Sequence, residues 1–114
     1  MAKAILAGLV VALLTVAGAG VANAADVFVI HHKVADYAKW RPFFDGDKAN
    51  QQAAGLTNPR VYRSLASAND ITIVFDMADA AKAKSFTASK ALKATMTKAG
   101  VVGKPTFAFL ESAP

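Results

Sequence analysis

The chain contains no cysteine. That excludes disulfides, thiol catalysis and anchoring through a lipidated cysteine. Histidine is nearly absent too, with two in the whole sequence. No cluster of His, Asp and Glu has metal-ligand spacing, so no metal site is expected. No glycine-rich phosphate loop follows a strand, and no G-x-S-x-G elbow appears. Internal repeats and low-complexity tracts are also missing from the region after residue 24.

What is present begins with the first 24 residues. Met1-Ala2-Lys3-Ala4 carries one positive charge, Ile5 to Val16 is apolar except for Thr15, and the segment ends Ala22-Asn23-Ala24. This is the three-part pattern of a secretory signal peptide. The apolar stretch approaches spanning length, but Gly8, Gly18, Gly20 and the small-residue end favour cleavage. The expectation is a leader over 1–24, removed, and one domain over 25–114 with no membrane anchor. The product is expected in the periplasm or secreted. Without Lys3, the 13 basic residues become 12 against 8 acidic ones. These bases are spread along the chain and show no stripe of the kind a nucleic-acid reader carries. Nucleic acid is not an expected partner.

The periodicity predicts six elements. Asp26–Val34 reads as a strand. Asp36 offers a helix N-cap, with Tyr37, Trp40, Phe44 and Gln51 at helical spacing and a stop at Gly55. Pro42 falls inside this helix and predicts a kink or a short first turn. Asn58-Pro59 reads as a turn before a strand over Arg60–Leu65. Ile71–Met77 is a third strand, with Ile71, Ile73, Phe75 and Met77 on one face. Asp79 and Ser89 cap helical segments that end at Gly100, and Pro105 opens a last strand over Thr106–Glu111.

The order β-α-β-β-α-β is the split βαβ, ferredoxin-like α+β arrangement, with helices on one face of a four-stranded antiparallel sheet. Strands one and three also carry apolar residues on the second face, notably Val27, Val29 and Val74. Such a face is not left in water. A homodimer, most simply isologous, is expected to cover it.

His31 and His32 are adjacent on a strand, so they point to opposite faces and cannot share one metal without a bulge. One is expected in the cavity between the sheets of the dimer and the other toward the helices or rim. His32 is the candidate base, with Arg63 or Tyr62 steadying an anion. His31, Phe75 and Phe107 are candidate ligand contacts. Tyr37, Trp40, Phe43 and Phe44 form an aromatic cluster that reads as helix-to-sheet core. Asp45-Gly46-Asp47 with Asn50 looks briefly like a calcium loop, but Leu56 stands where that loop needs its glutamate.

His32-x-Val34-x-Asp36-Tyr37-x-x-Trp40-x-x-x-Phe44-Asp45 resembles the opening motif of small dimeric α/β-barrel proteins grouped with antibiotic biosynthesis monooxygenases, also called cyclase-like. Ala54-Gly55-Leu56, Arg60-Val61-Tyr62-Arg63 and Ala99-Gly100-Val101-Val102-Gly103-x-Pro105 agree with it. The resemblance implies a ferredoxin-like protomer that pairs into a barrel, with a pocket in each protomer. Some relatives oxidise polyphenolic polyketides without a cofactor, using a histidine, tryptophan or asparagine. Others degrade haem with a histidine on the later helix, and residues 79–100 contain none. Trp40, on the first helix, is expected to be structural.

Three readings follow. The first is an exported dimer that binds a small apolar or aromatic molecule and uses no cofactor. The second is a cofactor-independent monooxygenase or isomerase acting on an enolisable substrate. The third is a purely structural or stress-associated dimer. A water-accessible pocket with a histidine and a converging arginine or tyrosine would separate the second from the others.

Overall fold

The computed structural model describes residues 25–114; the expected leader lies outside them. Strand β1 (Asp26–Val34) leads into helix α1 (Tyr37–Gly46) and α2 (Lys48–Ala53). Strands β2 (Leu56–Arg63) and β3 (Asp70–Met77) form a hairpin. Helices α3 (Ala80–Thr87) and α4 (Lys90–Lys98) then precede β4 (Val101–Leu110). All pairings are antiparallel, in the order β2-β3-β1-β4. This is the α+β, ferredoxin-like order the sequence predicts. No described helix is long and apolar enough to cross a membrane.

The caps act as their residue types dictate. The Asp36 carboxylate accepts the Ala38 N–H at 2.9 Å, Asp79 accepts that of Lys82 at 3.1 Å, and Ser89 Oγ that of Leu92 at 3.1 Å. Each satisfies an amide that the first helical turn leaves without a partner. Asn69, in the β2–β3 loop, accepts the Tyr37 N–H at 2.9 Å and so ties the hairpin to the start of α1. The first helical segment breaks at Asp47, not at Pro42, which sits inside α1.

Two strands are longer than expected. Asn58-Pro59 lies within β2, where the register to β3 shifts between Thr57 and Arg60 and Asn58 takes φ +51°. Gly103, at φ +72°, lies within β4 opposite the register shift between His31 and Lys33. Both are bulges in edge strands, where a proline removes no ladder bond that the sheet needs.

The helix-facing side of the sheet forms the core. Phe28 is wholly buried and stacks on Phe75, Phe107 and Phe109, with ring centroids 6.1, 5.9 and 5.0 Å away. Burying such a side chain contributes about 2–3 kcal/mol. Ile30, Val34, Ile71, Ile73 and Met77 complete this layer. The other face carries Val27, Val29, Val74 and Ala108, all part-exposed, and Leu110, 48% exposed.

Candidate functional site

Strand alternation settles the direction of the two histidines. His31 is on the open face, where its Nε2 meets the Asp70 carboxylate. His32 is on the helix face, 4% exposed. Its ring meets Trp40 edge-on at 5.7 Å, and Trp40 stacks on Phe44 at 5.0 Å. An apolar slot lies between sheet and helices above these rings. Ile30, Ile73 and Phe75 line it beside His32, with Phe43, Asp47, Gln51, Thr95 and Met96 also in its lining.

His32 Nδ1 is buried and has no hydrogen-bond partner. A buried polar atom in that state costs about 1–3 kcal/mol. Burial is also the main reason that the ring's pKa lies below the ordinary 6.5; the charge of His31 acts the same way. The residue's own backbone and Asp70 oppose the shift to a smaller degree. His32 is therefore a neutral imidazole at neutral pH, able to accept a proton or a hydrogen bond in dry surroundings.

The other sequence-predicted residues are divided. Phe75 lines the slot. Arg63 shares the helix face with His32, one strand beyond Ile71, the common partner of both. Its guanidinium stacks 4.4 Å from the Tyr37 ring centroid, outside the slot lining. Tyr62 is on the opposite face, paired with Thr72 and 56% exposed, so it does not converge with His32. Phe107 lines a separate groove between α4 and β4. Trp40 is core, as expected, and also a wall of the slot. The residues that periodicity did not single out for the site are Gln51, Thr95 and Met96. Gln51 is 5% exposed and donates from Nε2 to the Phe44 carbonyl at 3.2 Å, across the α1–α2 break. The helical spacing that puts Gln51 in line with Tyr37, Trp40 and Phe44 was the one available signal.

The slot itself holds about 40 Å³, room for a few waters. Two larger grooves adjoin it, of about 540 Å³ on the α2–α3 side of α4 and about 500 Å³ on its β4 side. Leu92 lines all three spaces. Helix α4 thus borders the small slot and both wider grooves. Among the described residues no group of three His, Asp or Glu side chains could hold a metal ion. Asn50 and Asp47, from the calcium-like stretch, bond to each other at 2.7 Å, and Asp45 pairs with Arg41 at 3.1 Å.

No protein-family model matches the chain, and no curated protein matches its sequence. Solved structures do match in shape. One, from Bordetella bronchiseptica and assigned as an antibiotic biosynthesis monooxygenase, is 13% identical, with TM-score 0.64 over 79% of this chain and 99% of its own. A cofactor-independent oxygenase from Streptomyces nogalater is 14% identical, with TM-score 0.58 over 79% and 96%. A dimeric ferredoxin-like protein from an uncultured marine organism is 13% identical, with TM-score 0.51 over 80% and 90%. At these identities the likeness is one of fold: the chain has the α+β, ferredoxin-like architecture seen in antibiotic biosynthesis monooxygenase structures.

Proposed function

We propose that this chain is an exported, self-associating protein that binds a small, largely apolar molecule over His32. The observation that carries the reading is the unpartnered Nδ1 of a neutral, buried histidine in an apolar slot. In the tautomer that leaves Nδ1 unprotonated, such a group accepts one hydroxyl or enol proton, and the surrounding rings favour a flat apolar body. Export rests on the pattern of residues 1–24. Self-association rests on the open sheet face, where Val27, Val29, Val74 and Ala108 adjoin Leu110, and on the dimeric state of one solved structure of the same fold. The test is calorimetric titration with apolar phenols and enols. A His32→Leu variant should lose at least tenfold in affinity for a hydroxylated ligand, about 1.4 kcal/mol, and little for its deoxy analogue. Equal losses for both would refute the acceptor role.

A second reading is carried by the same ring and by the cofactor-independent oxygenase that shares the fold. His32 would remove a proton from an activated methylene of an aromatic substrate. The resulting enolate would react with dioxygen, giving a carbonyl product and one water. Oxygen uptake with anthrone-type substrates, abolished by His32→Leu, supports this reading; binding without oxygen uptake leaves the first.

A further inference from the structure

The stretch from Ala80 to Leu110 carries six lysines and no aspartate or glutamate. It builds α3, α4 and β4, the part of the molecule that borders both grooves. The two grooves differ in charge. On the α2 side, Lys82 is accompanied by Asp47. On the β4 side, Lys93 and Lys104 stand at the rim with no acidic residue in the lining, above a floor of Leu92, Met96, Val101 and Phe107. Among the described residues neither lysine is paired with a carboxylate. Leu92 and Met96 also line the His32 slot, so the groove and the slot share these two apolar side chains of α4. A space of about 500 Å³ is within the range of small-molecule sites.

We propose that the α4–β4 groove selects an amphiphilic monoanion, a fatty or aromatic carboxylate. Its charged end lies between Lys93 and Lys104, and its apolar body runs along Leu92 and Met96 toward His32. This rests on the slot being a binding site and adds the chemical class of what it takes. Charge complementarity decides the occupant. A neutral apolar molecule would leave both ammonium groups unused, and a cation would be repelled by the whole stretch. The lysine stems supply apolar contact while their heads stay hydrated, so the preference is modest and salt-sensitive.

The experiment is titration of the purified protein with decanoate and with decanol, two ligands of equal chain length that differ in charge. At low salt decanoate should bind saturably and about tenfold tighter than decanol. A Lys93→Gln/Lys104→Gln variant should reduce that ratio to about twofold. A Lys90→Gln/Lys98→Gln variant removes the same charge from outside the groove and should keep the ratio. Equal affinities for the two ligands would overturn the charge selection while leaving the slot reading in place. Equal losses in the two variants would overturn the groove in favour of a diffuse field. No saturable binding of either ligand would overturn the groove proposal, while the slot reading stands or falls with the phenol and enol titrations. Cosedimentation with phosphatidylglycerol vesicles, governed by Lys93 and Lys104 without binding of monomeric decanoate, would replace the small molecule with a membrane surface.

Discussion

Replacing His32 by leucine should make the protein more stable while weakening the proposed binding of hydroxylated ligands. Leucine is of similar size and brings no polar atom into the slot. It relieves the unpartnered Nδ1, whose desolvation costs about 1–3 kcal/mol, and it loses the edge-on contact with Trp40 at 5.7 Å, an aromatic pair worth about 0.5–1.5 kcal/mol. The balance is a gain of about 1 kcal/mol, or about 4–8 °C in Tm for a domain of this size. The pH dependence sharpens the test. Burial holds folded His32 below its ordinary pKa of 6.5, so just below that pH the unfolded chain binds more protons than the folded one. Wild-type stability is then complete above about pH 6.5 and falls, by at most about 1.4 kcal/mol per pH unit, as the pH drops toward the folded value. The leucine variant lacks this loss. Its advantage should widen between about pH 7.5 and about pH 5.5. The assay is urea denaturation of both proteins at matched concentration, since self-association would otherwise alter the comparison. A variant less stable than wild type at neutral pH, or a gap that does not widen on acidification, would show that His32 is a satisfied packing residue.

Other substitutions test the frame around the slot. Phe28→Ala removes the ring that three others stack on and should cost about 3–5 kcal/mol by denaturant titration, a large part of a small domain's stability. Gly55→Ala should destabilise by about 1–2 kcal/mol, because Gly55 has φ +76° and a new Cβ would meet the Asp79 amide nitrogen at 3.4 Å; thermal melts measure it. Asn69→Ala frees the Tyr37 amide and should cost about 1–2 kcal/mol, with faster amide exchange at the start of α1. Val29→Asp places a charge on the open face, and light scattering should then report a monomer, against the dimer expected of the wild type.

Most of the frame was legible because local chemistry and burial agree in it. Asp36, Asp79 and Ser89 each stand where a helix begins, and β1 and β3 alternate without interruption. Asn58-Pro59 and Gly103–Pro105 misled because the same residues serve turns and bulges. Pairing with β3 and β1, which lies outside any local window, keeps them in strands. His32 was identifiable as one of only two histidines. Its pairing with Tyr62 was not excluded beforehand, since strand alternation opposes Tyr62 to Arg63 without saying which faces the helices. Gln51, Thr95 and Met96 come from two separate helices and meet only when both are laid on the sheet. Trp40 illustrates the remaining gap: helical spacing marks it as core, and only the packed structure reveals that the same ring is also the wall of a chamber.

The placement of His31 and His32 on consecutive residues has a consequence for how the two sides of the sheet communicate. A single peptide unit separates a ring on the outer surface from a ring inside. Positive charge on His31 works against positive charge on His32, and Asp70, bonded to His31, works the other way. A subunit or ligand that changes the charge around His31 and Asp70 would therefore bear on the inner ring, by less than its burial does.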